Sequence, residues 1–266
     1  MNKLGFIGCG KMASAIIKGV LKSSNSGDFM LRGSEVNDEV AKSASERLGI
    51  EVISDNKKLA EWADVILIAT KPNMVVEVLN EIKPVFASEK LLISIAAGVS
   101  TPKINNVLPT QRVVRVMPNT PALLGFGMAG ITGGKNATKD DLKFVHNLMN
   151  SVGEVIEVEE SQMDIVTAIS GSGPAFFYQV IEDMARAGEK LGLDYEKSLL
   201  LATQTARGSA EMVMKRGETS VQTLIDNVAT KGGCTFVGIT AMKEENSDKL
   251  FDKVIKDTAK KASELG

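Results

Sequence analysis

The sequence predicts an α/β protein in two parts, a doubly wound, mostly parallel sheet over residues 1–160 and an all-α helical part over 161–266. Three observations predict it. From Lys3 to about Val158, short β-rich segments alternate with amphipathic stretches of helical length, the pattern of βαβ units. Beyond Glu160 the Val, Ile and aromatic runs give way to long stretches of Ala, Leu, Met, Lys and Glu. A glycine-rich turn stands directly between the first strand and the first helix, where a parallel sheet meets a ligand.

The strand candidates are Lys3–Ile7, Asp28–Arg32, Glu51–Ile53, Asp64–Ala69, Lys90–Ile95 and Arg112–Val116, then Gly127–Thr132 and Glu154–Val158 around a helix near Lys139–Val152. In the second part, Ser170-Gly171-Ser172-Gly173-Pro174 reads as a flexible break with a capping hydroxyl, ahead of a helix from Ala175 to Leu191 that stops at Gly192. Further helices are expected over Tyr195–Arg216, Ser220–Asn227, from near Phe236, and over Ser247–Leu265.

Composition narrows the function classes. The chain has 266 residues, 44% of them apolar, and a formal charge of −2, so it lacks the basic field that non-specific nucleic-acid binding needs. No apolar run approaches the roughly 20 residues that span a bilayer. Cys9 and Cys234 each lie in a glycine-rich stretch, which suits a reduced cytoplasmic protein better than a disulfide framework. The lone histidine, His146, falls on an amphipathic helix and reads as a surface or packing residue; with no Ser/His/Asp arrangement and no metal-ligand cluster, metal chemistry is not expected.

The motifs carry the chemistry. Ile7-Gly8-Cys9-Gly10-Lys11-Met12-Ala13 has a glycine for the tight turn, a second where backbone approaches a pyrophosphate, and a small Ala13 for close packing of helix on strand. The helix start then offers N–H groups and partial positive charge to the phosphates. An NAD site normally ends its second strand on Asp or Glu; here stands Leu31-Arg32-Gly33-Ser34. Arg32 and Ser34 suit a 2′-phosphate, which favours NADPH, while Arg32 as a solvated loop residue and Glu35 as a ribose acid keep NADH open. Thr70-Lys71-Pro72-Asn73, Ile95-Ala96-Ala97 and the loop holding Asn119 are placed to line a nicotinamide pocket, with Lys71 and Asn119 as polar contacts and the alanines leaving room for a flat ring. Asn227, Thr230, Gly233, Cys234 and Thr235 surround a second glycine-bearing turn, Lys231-Gly232-Gly233, which reads either as a helix start capped by a threonine or as a carboxylate site.

Taken in order, these stretches, with Ser94-Ile95-Ala96-Ala97-Gly98, Arg115-Val116-Met117-Pro118-Asn119-Thr120-Pro121 and Ser170-Gly171-Ser172-Gly173-Pro174, resemble the pyrroline-5-carboxylate reductase family over essentially the whole chain. The resemblance implies an N-terminal Rossmann dinucleotide-binding domain, a helical dimerisation and substrate-binding domain, and reduction of 1-pyrroline-5-carboxylate to L-proline with NADPH or NADH. It implies that Asn56 lies near the adenine ribose, and that the loops of Thr70 and Ala96 touch cofactor. It also implies that the substrate carboxylate rests on the backbone of Gly233, Cys234 and Thr235 while the Thr235 hydroxyl meets the ring nitrogen. The chain departs from the family pattern at Lys231, where proline is usual, at Cys234, where threonine is usual, and at Gly125-Phe126-Gly127, where glutamate often parts the glycines. A related cyclic imine acid as substrate, and an NADP(H)-sensing regulator without turnover, are the alternative readings. A hydroxyacid dehydrogenase would need a Gly-x-x-x-Lys helix, and Gly188-Glu189-Lys190 lacks that spacing.

Overall fold

The structure, a computed structural model, describes residues 2–23 and 26–265. It divides into two compact units, one running to Ser172 and taking in the chain from Lys256 onward, the other Gly173–Ile255. The first unit thus extends past residue 160, because Glu160 and Met163 anchor the following turns to it: Glu160 pairs with a buried arginine and Met163 is itself fully buried.

One eight-stranded sheet organises the first unit. Its strands are β1 (Asn2–Ile7), β2 (Phe29–Ser34), β3 (Glu51–Ile53), β4 (Val65–Ile68), β5 (Leu91–Ser94), β6 (Arg112–Met117), β7 (Gly127–Gly133) and β8 (Gly153–Glu157), in the order β3-β2-β1-β4-β5-β6-β7-β8. Strands β3 to β6 in that order are mutually parallel, β7 turns antiparallel to β6, and β8 runs parallel to β7. Strand order reverses between β1 and β4, the switch point at which open α/β sheets bind ligands.

The central strands are apolar on both faces because helices cover both. Alternation then sorts the side chains into two cores. Leu4, Phe6, Val65, Leu67, Leu91, Ile93 and Val114 meet α1 (Lys11–Lys22), α2 (Asp38–Leu48) and, through Val145 and Leu148, a later helix, Lys139–Met149. Ile7, Ile66, Ile68, Leu92 and Val113 face the other way onto α3 (Asn56–Trp62), α4 (Val75–Ile82) and α5 (Thr101–Val107), with α6 then being Lys139–Met149. Helix ends follow local chemistry. Asn37 caps α2 by accepting from Val40 N at 2.9 Å, Gly49 ends it in the left-handed region, and Thr138 and Asp141 form a reciprocal capping box on α6.

Within Ser170–Pro174 the break narrows to Ser172, a bend at which the first unit ends. After α7 (Met163–Val166) the chain stays helical through a widened turn, Thr167–Gly171, closed by Ser172 N donating to Thr167 O at 2.8 Å, and then enters α8 (Gly173–Lys190). Proline 174 has no N–H for the carbonyl four residues back, so Ser170 O is free to accept elsewhere, and the turn widens instead of ending.

In the second unit α8 and α9 (Tyr195–Met214) form a hairpin, followed by α10 (Val221–Val228), α11 (Cys234–Glu244) and the start of α12 (Ser247–Ser263). Asp194 caps α9, Tyr195 Oη donates to Glu182 at 2.7 Å, and the Arg186 guanidinium lies 4.3 Å from the centre of the Tyr195 ring. The Tyr195 bond foremost, and then a bond from Arg186 Nε at 2.8 Å, hold the Glu182 carboxyl below the ordinary range. Very few of this unit's side chains are buried, Ala185, Ser198 and Ala202 among them, while Phe177, Met184, Leu200 and Met214 are exposed. No helix among the described residues is long and apolar enough to cross a membrane.

Candidate active site

The loop after β1 is built for an anion. Gly8 adopts φ +86°, and a side chain there would meet Ala69 O at 3.1 Å, so only glycine serves both turn and close approach. Its N–H donates to Ser34 O at 2.9 Å, locking the loop to the end of β2. Gly10 is the N-cap of α1 with no side-chain cap and no acidic residue in the first turn, so the N–H groups of Lys11, Met12 and Ala13 keep their donor capacity and positive end. A Cβ at Gly10 would meet nothing within 4 Å. Ala13 is fully buried against the sheet, as its role in close packing requires.

Cys9 contributes backbone, not sulfur. Its thiol is buried 3.9 Å from Ser34 O, and burial, followed by the Glu35 charge and opposed by Arg47, pushes its pKa up to about 12. Its N–H donates to Glu35 Oε1 at 2.7 Å, and its carbonyl accepts from Arg47 Nη2 at 2.8 Å.

At the adenine-ribose end, Ser34 Oγ donates to Asn56 Oδ1 at 2.7 Å, and Asn56 Nδ2 donates to Glu81 Oε2 at 2.8 Å. These two residues are brought together as expected of one corner. Arg32 is not at the strand end: β2 continues to Ser34, which leaves Arg32 two positions below the edge, about 6–7 Å along the strand. There it pairs with Glu51 at 2.7 Å and stacks on Trp62 at 4.6 Å, both half-exposed contacts on the sheet's flank.

Strand register brings the remaining loops to the same edge, since Ile7 is level with Ser34 and Ile68, and Ile68 with Ser94. Thr70 Oγ1 is buried there with no hydrogen-bond partner, Pro72 and Asn73 lie in a short 3-10 turn that Lys71 precedes, and Ile95, Ala96 and Ala97 follow β5. Lys71 and Asn73 are exposed, and Ala96 is buried. Asn119 is engaged at both ends of its amide. Its Oδ1 accepts from Met128 N at 2.9 Å and its Nδ2 donates to the freed Ser170 O at 3.1 Å, which ties two loops together and leaves one N–H and one lone pair over. His146, in the last turn of α6, bonds to the C-cap residue Asn150 at 3.0 Å in an exposed contact.

Sequence reasoning missed the Arg115 network. Arg115 is 3% exposed and pairs with Glu160 at 2.5 Å, with Asp164 at 3.8 Å, while Thr101 N and Oγ1 donate to the other Glu160 oxygen. The signal was an arginine inside the strand Arg112-Val113-Val114-Arg115-Val116-Met117, which demands a carboxylate from elsewhere in the chain.

In the second unit, the turn after α10 leads to Gly233, the N-cap of α11, with no side-chain cap. The helix starts at Cys234, two residues earlier than expected, which puts Thr235 in its first turn and not at a capping position. Gly233 N is used by Thr230 O at 2.9 Å, whereas the helix's first N–H groups, from Cys234 onward, precede any intrahelical partner. Cys234, Thr230 and Asn227 are exposed and Thr235 is half-buried.

The edge of the first unit fits a dinucleotide: the Gly10 position is open space over the first turn of α1, and Thr70, whose methyl lies 3.4 Å from where a Cβ at Gly8 would stand, carries an unpaired buried hydroxyl. Fold and edge define the class, a Rossmann-type nucleotide-binding oxidoreductase. Residues 3–98 match the family model described as NADP oxidoreductase, coenzyme F420-dependent, and residues 160–265 the one described as pyrroline-5-carboxylate reductase dimerisation. The pyrroline-5-carboxylate reductase of Methanosarcina acetivorans is 39% identical, covering 100% of this chain and 98% of the relative. The Plasmodium falciparum pyrroline carboxylate reductase, solved with NADP bound, matches at TM-score 0.87 and 36% identity, covering 100% of this chain and 98% of that one. The Coxiella burnetii pyrroline-5-carboxylate reductase structure matches at TM-score 0.92 and 33% identity with the same coverage. The chain belongs to the pyrroline-5-carboxylate reductase family.

Proposed function

We propose that this protein reduces 1-pyrroline-5-carboxylate to L-proline with NADPH, NADH serving as the second donor. The observation that carries the substrate reading is the uncapped start of α11, with Thr235 in its first turn. The backbone N–H groups of Cys234 and Thr235, supported by the Gly233 turn, hold the substrate carboxylate, and Asn227 and Thr230 border that turn. The bound dinucleotide supplies the hydride. The imine enters protonated, so when its C=N carbon receives the hydride the ring nitrogen gains the C=N electron pair as a lone pair and keeps its proton; Thr235 Oγ1 accepts that N–H and fixes the ring's orientation without needing a shifted pKa. Gly8 to Ala13 hold the pyrophosphate, Ser34 and Asn56 the adenosine ribose, and Thr70 to Asn73 with Ile95 to Ala97 the nicotinamide end.

Residues 161–266 are the helical dimerisation and substrate domain in this reading. A groove of about 740 Å³ between α8 and α9, lined by Phe177, Val180, Met184, Ala206 and Met214, gives that domain an apolar face for a second copy. The free thiols Cys9 and Cys234 suit a reducing cytoplasm.

The test offers 1-pyrroline-5-carboxylate and a six-membered cyclic imine acid, each with NADPH and with NADH. NADPH consumption with formation of L-proline is expected. Faster reduction of the larger ring would transfer the assignment to a related imine, the change Lys231 and Cys234 invite; binding of NADPH with no turnover of either would make the protein a sensor. Thr235→Val should lower kcat/KM for the imine by about ten- to a thousandfold while leaving NADPH affinity unchanged. Full activity in that variant would remove Thr235 from the chemistry.

A further inference from the structure

Glu35 stands immediately after β2, and its position is fixed from both sides. Its own N–H donates to Ile53 O at 2.9 Å, pinning the backbone to the end of β3, and its carboxylate folds back so that Oε1 accepts from Cys9 N at 2.7 Å, inside the nucleotide loop. A carboxylate at the end of the second strand, over the glycine loop, is what a dinucleotide fold uses to hold a ribose diol. With one oxygen engaged by Cys9, the group keeps lone pairs for two hydroxyl donors.

The charges around it favour a diol over a phosphate. Arg32, the cation of β2, is paired with Glu51 and stacked on Trp62. The Ser34–Asn56 chain ends on a second carboxylate, Glu81. Arg47 is held by Cys9 O and Ser14 Oγ, and Lys58 pairs with Asp55 at 3.5 Å.

We propose that Glu35 is the residue that sets the balance between NADH and NADPH: it receives the adenosine ribose hydroxyls of NADH directly, whereas the 2′-phosphate of NADPH must displace it from Cys9 or bear its charge. The proposal rests on the reading of this edge as a dinucleotide site. It makes NADPH affinity in this chain limited by one removable carboxylate.

Dissociation constants for NADH and NADPH, from fluorescence titration of the full chain without substrate, test it in wild type, Glu35→Gln and Glu35→Ala. Glutamine keeps an acceptor for Cys9 N–H and removes the charge, so NADPH should tighten by about tenfold while NADH weakens several-fold. The alanine variant should move both constants in the same directions. The ratio of the two constants, taken on one preparation, is independent of how much of a variant has folded. A ratio unchanged in both variants, with both cofactors bound, overturns the role of Glu35 and leaves the dinucleotide site standing. Failure of wild type to bind either cofactor overturns the site itself and this proposal with it.

Discussion

Gly10→Ala separates ligand binding from folding at a single position. Gly10 has φ −66° and ψ −169°, a conformation any L-residue adopts, and a Cβ there would meet nothing within 4 Å. Folding should therefore lose only the N-cap difference between glycine and alanine, about 0.5–1 kcal/mol, a shift in Tm of about 1–4 °C for a chain of this size. The new methyl instead fills the space over the first turn of α1 through which a pyrophosphate must come to reach the backbone N–H groups. Losing one charge-assisted hydrogen bond of that kind costs about 1.5–3 kcal/mol, or about 10- to 150-fold in cofactor affinity. Gly33→Ala is the contrasting control. Its Cβ would lie 2.5 Å from Cys9 Sγ, so that variant should lose about 1–3 kcal/mol of stability by overpacking. Paired thermal melts and NADPH titrations read both. Unchanged NADPH affinity in a folded Gly10→Ala protein would refute the placement of the phosphates, and a Gly10→Ala melt as low as that of Gly33→Ala would refute the reading of Gly10 as open space.

The other predictions address stability, pH and assembly. Glu160→Gln removes the charge facing buried Arg115 and leaves Asp164 at 3.8 Å as its ion-pair partner, and denaturant unfolding should show a loss of about 2–4 kcal/mol. In the native protein Cys234 should react with a thiol reagent and Cys9 should not, the first being exposed and the second buried. The Cys9 pKa is raised in the folded state from 9.0 to about 12, so the native form favours the neutral thiol. That contribution to stability is whole below pH 9 and is lost as pH rises from 9 towards about 12; Cys9→Ala should flatten this part of the stability–pH curve. Met184→Glu places a charge in the α8–α9 groove and should shift the protein from dimer to monomer in light scattering, with a wild-type monomer overturning the assembly proposed here.

What the sequence made legible was whatever local chemistry decides. All eight strands and the helices after Ala175 follow from periodicity, because apolar alternation and turn residues act over a few positions, and Gly8 and Gly10 declare their roles through neighbours in the chain. What the sequence hid shares one cause, partners distant in sequence. Arg32 looked like a strand-end cation, and only pairing with Glu51 and Trp62 on other elements shows where its guanidinium goes. Asn119 looked free at the pocket, yet Met128 and Ser170 take both ends of its amide. Pro174 was legible as a first-turn residue of α8, but not that the carbonyl it leaves unbonded, Ser170 O, is the acceptor Asn119 uses. That coupling has a mechanical consequence: the loop after β6 is held by the same bond that compensates the missing proline N–H, so restoring an N–H with Pro174→Ala would set the two donors competing for Ser170 O. The widened turn should tighten and Asn119 lose a partner, and amide hydrogen exchange at Met128, bonded to the other end of the same side chain, should accelerate although residue 174 lies far from it in sequence.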